Sequence, residues 1–138
     1  MIKLIHHVDK RGIFYELWKG EPRLVIKQVN VSVNKKGVVR GVHAEPWDKY
    51  IHVMRGKVMA VIVDMKTKEY ETHVLDNTNA LLVPKGKGNC FQALEDDTIF
   101  CYLTTGRWQP GKKYPSLPVS SLDIEWPVKP IIVSEKDA

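Results

Sequence analysis

The sequence predicts an all-β sandwich or barrel, and three observations point there. Apolar residues recur with a period of two almost throughout, turn signals rich in Gly, Asn and Asp punctuate the runs, and no segment carries the spacing of an amphipathic helix. The chain has 138 residues, enough for one domain but too few for two well-buried cores. Hydrophobic residues make up 43% and charged residues 27%, a balance that excludes disorder throughout.

The elements follow in order. The run from Leu24 to Val33 is rich in β-branched residues and alternates cleanly from Lys27 onward, which predicts a half-buried strand. Lys35-Lys36-Gly37 supplies the turn after it. Further strands are predicted at Val38 to Val42, Tyr50 to Met54, Lys57 to Asp64, Tyr70 to Leu75, Ala80 to Val83, Cys90 to Leu94 and Ile99 to Thr105. Between them lie Arg55-Gly56-Lys57, Asp76 to Asn79, Pro84 to Gly88 and Glu95-Asp96-Asp97, all turn formers. Met54 and Met59 read as core filler. The stretch from Gln109 onward holds five of the eight prolines and the apolar run Ile131-Ile132-Val133. One domain over 1–138 is therefore expected, with 109–138 as a Pro-rich wrap.

No apolar run approaches the roughly 18 residues of a membrane-spanning helix, so no membrane partner is expected. The N-terminus lacks the apolar core and cleavage site of a signal peptide, which leaves a cytoplasmic location as the expectation. Cys90 and Cys101 sit in apolar surroundings and read as buried thiols rather than a disulfide. Lysine and arginine total 21 against 16 acidic residues, a net charge of +5 that suits a phosphate-bearing partner. The basic residues are scattered, without a basic helix or zinc-finger spacing, so nucleic acid is not expected.

One constellation stands out. Gly37, His43, Glu45, Lys49 and Gly56 fall at the intervals of the first cupin motif, and Pro84, Gly86 and Asn89 at those of the second. The barrel is accordingly expected to be a cupin jelly roll, a double-stranded β-helix. A metal-binding cupin would carry histidine at 45 and 89 and glutamate at 49, where this chain has Glu, Asn and Lys. An ammonium in place of a carboxylate repels a divalent ion, so neither metal nor other cofactor is expected.

Seven short motifs occur around that scaffold in one order. They are Asp9 to Glu16 (with Arg11, Gly12 and Phe14), Gln28-Val29-Asn30-Val31-Ser32, Gly37 to His43 (with Arg40 and Gly41), Pro84-Lys85-Gly86 with Phe91, Tyr102 to Thr105, Ile124-Glu125-Trp126-Pro127 and Ser134 to Asp137. Together they resemble the dTDP-4-dehydrorhamnose 3,5-epimerase family, metal-independent cupins acting on nucleotide-linked 4-keto-6-deoxy sugars. The resemblance spans Asp9 to Asp137, in a chain shorter than a usual member. It implies that His43 is a catalytic base oriented by Asp137, that Lys49 stabilises charge on the C4 oxygen, and that Tyr102 is the proton donor. It implies that Arg11, Glu16, Gln28, Asn30, Arg40 and Lys136 contact the nucleotide sugar, and that the protein is a homodimer. Such groups suit epimerisation beside a ketone, which needs a base, an enolate stabiliser and an acid on the opposite face.

The chain departs from the family at three places. Asn89 stands where the family has a substrate-contacting histidine, Trp108 where it has a tyrosine that stacks on thymine, and Lys113 near an acidic contact. Asn89 still hydrogen-bonds but exchanges no proton, and an indole still stacks. The alternatives to an epimerase are a sugar-nucleotide 3,4-ketoisomerase and a non-catalytic sugar-nucleotide-binding cupin.

Overall fold

The computed structural model describes residues 1–138. Its strands are β1 (Ile2–Lys3), β2 (His7–Asp9), β3 (Gly12–Phe14), β4 (Gln28–Asn34), β5 (Val39–His43), β6 (Lys49–Arg55), β7 (Val58–Val63), β8 (Tyr70–Leu75), β9 (Asn79–Val83), β10 (Gly88–Ala93) and β11 (Thr98–Thr104). A 3₁₀ turn covers Val119–Ser121. Every predicted strand is present as one of β4 to β11. The largest boundary difference is in β4, which begins at Gln28 rather than Leu24. Strands β1, β2 and β3 are two or three exposed residues each, too short for a periodic signal.

Two antiparallel sheets form the barrel, a five-stranded one in the order β1-β9-β6-β11-β4 and a four-stranded one in the order β5-β10-β7-β8. The β2–β3 hairpin stands apart. Between the sheets lies an apolar core that includes Ile51, Val53, Ala60, Ile62, Leu75, Leu81, Val83, Phe91 and Phe100. Burying each aliphatic side chain there contributes about 1.5–3 kcal/mol.

Both sheets are also covered outside. Leu4, Tyr15, Leu17, Trp18 and Ile26 of the N-terminal arm pack on Tyr50, Ala80, Cys101 and Leu103. Strand β6 is thus buried on both faces from Lys49 to Val53, the ionisable Lys49 and His52 included. Residues Val119, Leu122 and Trp126 of the C-terminal strap pack on Val39, Val42, Val61, Val63 and Cys90. Backbone bonds stitch the strap down, among them Val39 N–H to Ile132 O at 2.8 Å and Val119 N–H to Asp137 O at 2.8 Å.

Strand β4 inverts the usual polarity. Val29, Val31 and Val33 are 57–64% exposed, while Gln28, Asn30, Ser32 and Asn34 point into the barrel. Alternation identified the strand, but the face turned to the interior is the polar one, because it lines a site rather than a core. Met54 is also corrected: at the turn end of β6 it is exposed, not core, whereas Met59 packs partly buried on the second cluster.

Candidate active site

The apolar interior gives way to polar side chains at one end of the barrel. The junction is built by an irregularity in β5. Its register with β10 pairs Arg40 with Phe91 and His43 with Asn89, so three steps on β5 oppose two on β10. The extra residue lets Arg40 and His43 share the inner face while Val39 and Val42 share the outer one, which strict alternation forbids. Gly41 makes this possible. Its φ is +116°, and a Cβ there would lie 2.5 Å from Asn89 O and 2.7 Å from the Cys90 Cβ.

Three adjoining cavities of about 230, 300 and 370 Å³ meet at this end, and His43 and Glu45 line all three. The first holds Arg40, Lys49, Asn89, Tyr102 and Asp137 around Phe91 and Phe100. The second is lined by Trp108, Lys112, Lys113, Tyr114, Ser116 and Lys136. The third carries Gln28, Asn30, Trp47, Tyr102, Thr104 and Trp108.

His43 Nε2 lies 3.0 Å from Asp137 Oδ1, and the Gly41 N–H donates to Asp137 Oδ2 at 3.2 Å. The penultimate residue of the chain is thereby docked behind the imidazole, leaving Nδ1 as the other ring nitrogen. Lys49 is 3% exposed and its ammonium donates to Glu45 Oε2, to Asn89 Oδ1 and, at 3.5 Å, to the His43 carbonyl. Burial pushes the Lys49 ammonium below its ordinary range, while the Glu45 carboxylate works in the opposite direction. The Tyr102 phenol is pushed up by burial first and by Glu45 second, with Arg40 acting against both.

Around this centre, Gln28 Nε2 donates to Asn30 Oδ1 at 2.9 Å while its Oε1 accepts the Trp108 N–H at 2.9 Å. Arg40 Nε donates to Asn34 Oδ1 at 2.7 Å. Cup-shaped scaffolds of this kind often hold a metal, but the side chains at positions 45 and 89 are knit around an ammonium. That donor set does not fit a divalent cation. Both cysteines are buried free thiols, and burial pushes Cys90 up to about 12 and Cys101 up to about 11. Neither is a thiolate nucleophile.

Of the residues singled out in the sequence, His43, Lys49, Tyr102, Asp137, Asn89, Arg40, Gln28, Asn30, Trp108 and Lys136 line the three cavities. Arg11 and Glu16 do not. Arg11 sits at the exposed turn of the β2–β3 hairpin and pairs with Asp9 at 2.6 Å, and Glu16 lines a groove with Trp18 and Tyr50 outside the five-stranded sheet. Arg11 lies in the turn between β2 and β3 and Glu16 in the irregular segment after β3, both away from the three cavities. Glu45 and Trp47 are lining residues that the sequence motifs do not single out. The sequence marks Glu45 only as a vacated ligand position, although its i, i+2 and i, i+4 spacings to His43 and Lys49 signal proximity. Trp47 lines the third cavity and packs edge-on against Tyr114 at 5.3 Å.

An antiparallel jelly roll whose mouth gathers ionisable side chains around a buried ammonium defines a cupin. The chain belongs to the dTDP-4-dehydrorhamnose 3,5-epimerase family, whose sequence model matches residues 1–138. It is 36% identical over 139 residues to a protein described as an RmlC homolog of Streptococcus pyogenes serotype M6, covering 86% of this chain and 70% of the relative. It is 34% identical over 151 residues to a dTDP-4-dehydrorhamnose 3,5-epimerase of Streptomyces griseus, covering 94% and 74% respectively. The structure of RmlC from Streptococcus suis in complex with dTDP-D-xylose superposes with a TM-score of 0.85 at 36% identity, covering 98% of this chain and 80% of that one. No helix is long and apolar enough to cross a membrane.

Proposed function

We propose that the protein epimerises a nucleotide-linked 4-keto-6-deoxy sugar, a dTDP-sugar in the first instance, at C3, C5 or both. The observation that carries this reading is the convergence of His43, Lys49 and Tyr102 on one cavity, with the Asp137 carboxylate behind His43. With Nε2–H donated to Asp137, the lone pair of His43 Nδ1 takes the proton from the carbon beside the ketone. The C–H electron pair moves onto the carbonyl oxygen as an enolate, and the Lys49 ammonium pairs with the charge that develops there. The enolate carbon then takes the phenolic proton of Tyr102 on the opposite face. Water restores the Tyr102 proton and removes the one held by His43, so the reaction is an isomerisation with no net gain or loss.

The surrounding groups suit a nucleotide diphosphate. Arg40 offers a planar fork for phosphate oxygens, and Lys136, Lys112 and Lys113 keep the second cavity electropositive. Trp108 is half-exposed and free to stack on the base beside Gln28 and Asn30. The Asn89 amide nitrogen is left to donate to the sugar, because its oxygen accepts from Lys49.

A homodimer completes the site in this reading. Strand β4 is the edge of its sheet and turns Val29, Val31 and Val33 to solvent, and the separate β2–β3 hairpin exposes Val8, Ile13 and Phe14 as well. Paired there, each copy brings Arg11 and Glu16 to its partner's cavity. We read 1–138 as one domain with 109–138 as its wrap, working in the cytoplasm, a reducing compartment that suits two free thiols. The test is proton NMR of products from dTDP-4-keto-6-deoxyglucose. An inverted C3 or C5 supports the reading, a carbonyl moved to C3 replaces it with a ketoisomerase, and unchanged substrate that still binds replaces it with a binding module.

A further inference from the structure

The buried lysine raises a question that the acid–base roles leave open. An ammonium removed from water loses its hydration, and a neutral amine would stabilise an enolate poorly. Three acceptors surround Lys49 Nζ: Glu45 Oε2, Asn89 Oδ1 and the His43 carbonyl. Only the first carries a charge. Glu45 is itself mostly buried, with its side chain 15% exposed, and it is the one carboxylate besides Asp137 among the cavity walls. Asp137 is committed to His43 and Gly41.

We propose that Glu45 is a positioning residue for the reaction, its carboxylate holding the Lys49 ammonium charged and aimed at the substrate oxygen. The proposal rests on the reading of Lys49 given above. Other charged and titratable groups face the pair from each neighbouring element. Arg40 and His43 lie on β5, Tyr102 on β11 and Asp137 on the strap, while Lys112, Lys113 and Lys136 flank Glu45 on its far side. The Glu45 carboxylate also opposes ionisation of the Tyr102 phenol. Removing its charge therefore weakens two groups in the same direction: Lys49 loses its proton more easily, and so does Tyr102.

The test is Glu45→Gln, which keeps the shape and removes the charge, studied beside Glu45→Asp and Lys49→Met. In Glu45→Gln the alkaline limb of the kcat profile is expected to move down by about one pH unit. Turnover at pH 8 is expected to fall about tenfold or more, with KM within about twofold. The Lys49 13Cε resonance in lysine-labelled protein, followed without substrate, is expected to titrate about one unit lower as well. Glu45→Asp should keep both titrations near the parent. An alkaline limb and a Lys49 titration that both stay in place in Glu45→Gln overturn the proposal, as does a Glu45→Asp profile displaced as far as that of Glu45→Gln. If Lys49→Met retains parental turnover, the reading of Lys49 fails instead, whatever its titration does.

Discussion

Replacing Asp137 by Asn separates the chemistry of the His43 pair from its architecture. The side chain accepts from His43 Nε2 at 3.0 Å and from the Gly41 N–H at 3.2 Å, and its own carbonyl accepts from Val119. An amide oxygen retains one of the side-chain bonds and all of the backbone ones. What disappears is the negative charge that faces the imidazolium formed when His43 takes the substrate proton. Two unit charges about 4 Å apart interact by about 4 kcal/mol at an effective dielectric of about 20, and screening at a half-exposed ring reduces that to about 2 kcal/mol. The range converts to a loss of about 30- to 1000-fold in kcat. Melting should fall by about 3–10 °C, since the buried Gly41 N–H loses its acceptor at about 1–3 kcal/mol while the rest of the docking stays. Steady-state turnover, KM and calorimetry on the same preparation give all three numbers. A kcat within about threefold of the parent would refute the pairing as a catalytic device. Deleting residues 136–138 is a harsher perturbation: it also strips acceptors from the Val119 and Gly41 N–H groups, at about 1–3 kcal/mol each, so it should lower stability as well as turnover.

Tyr102→Phe keeps the ring against Phe100 and removes the donor, so isothermal titration should find parental nucleotide affinity while kcat falls at least about a hundredfold. His52 is fully buried, bonded to Tyr15 OH at 2.8 Å and Asn79 O at 2.8 Å, and burial holds its pKa below the ordinary value. The unfolded chain therefore binds this proton first as pH falls, so stability should decline below about pH 6.5, and the slope should flatten in His52→Asn. Val31→Glu puts a charge in the middle of the exposed valine row and should yield monomers in sedimentation velocity, with Arg11 and Glu16 lost to the site. Persistence of a dimer would move the interface elsewhere.

Most of the scaffold was readable because barrel strands alternate and their turns carry Gly, Asn and Asp. What alternation could not supply was direction. In β4 the valines point to solvent and the amides inward, and only a neighbouring strand with Tyr102, plus the absence of a covering arm, decides that. The His43–Asp137 contact joins residues 94 apart, beyond any local signal, and was legible only through the resemblance. Arg11 and Glu16 are legible as residue types but not as locations, because the exposed turn between β2 and β3 and the segment after β3 carry them away from the cavities of their own chain. Glu45 reads in the sequence as a departure from a metal-ligand pattern, and only the fold, which buries it against the lysine four residues on, makes it a counter-ion.

The central claim is that His43 removes a carbon-bound proton next to the ketone. Its most direct measurement is incorporation of solvent deuterium into dTDP-4-keto-6-deoxyglucose, followed by mass spectrometry and NMR in parent and His43→Ala protein. Label at C3 or C5 with the parent, and none with His43→Ala, is the predicted result. Label that persists in His43→Ala, or none in the parent despite bound substrate, would contradict it.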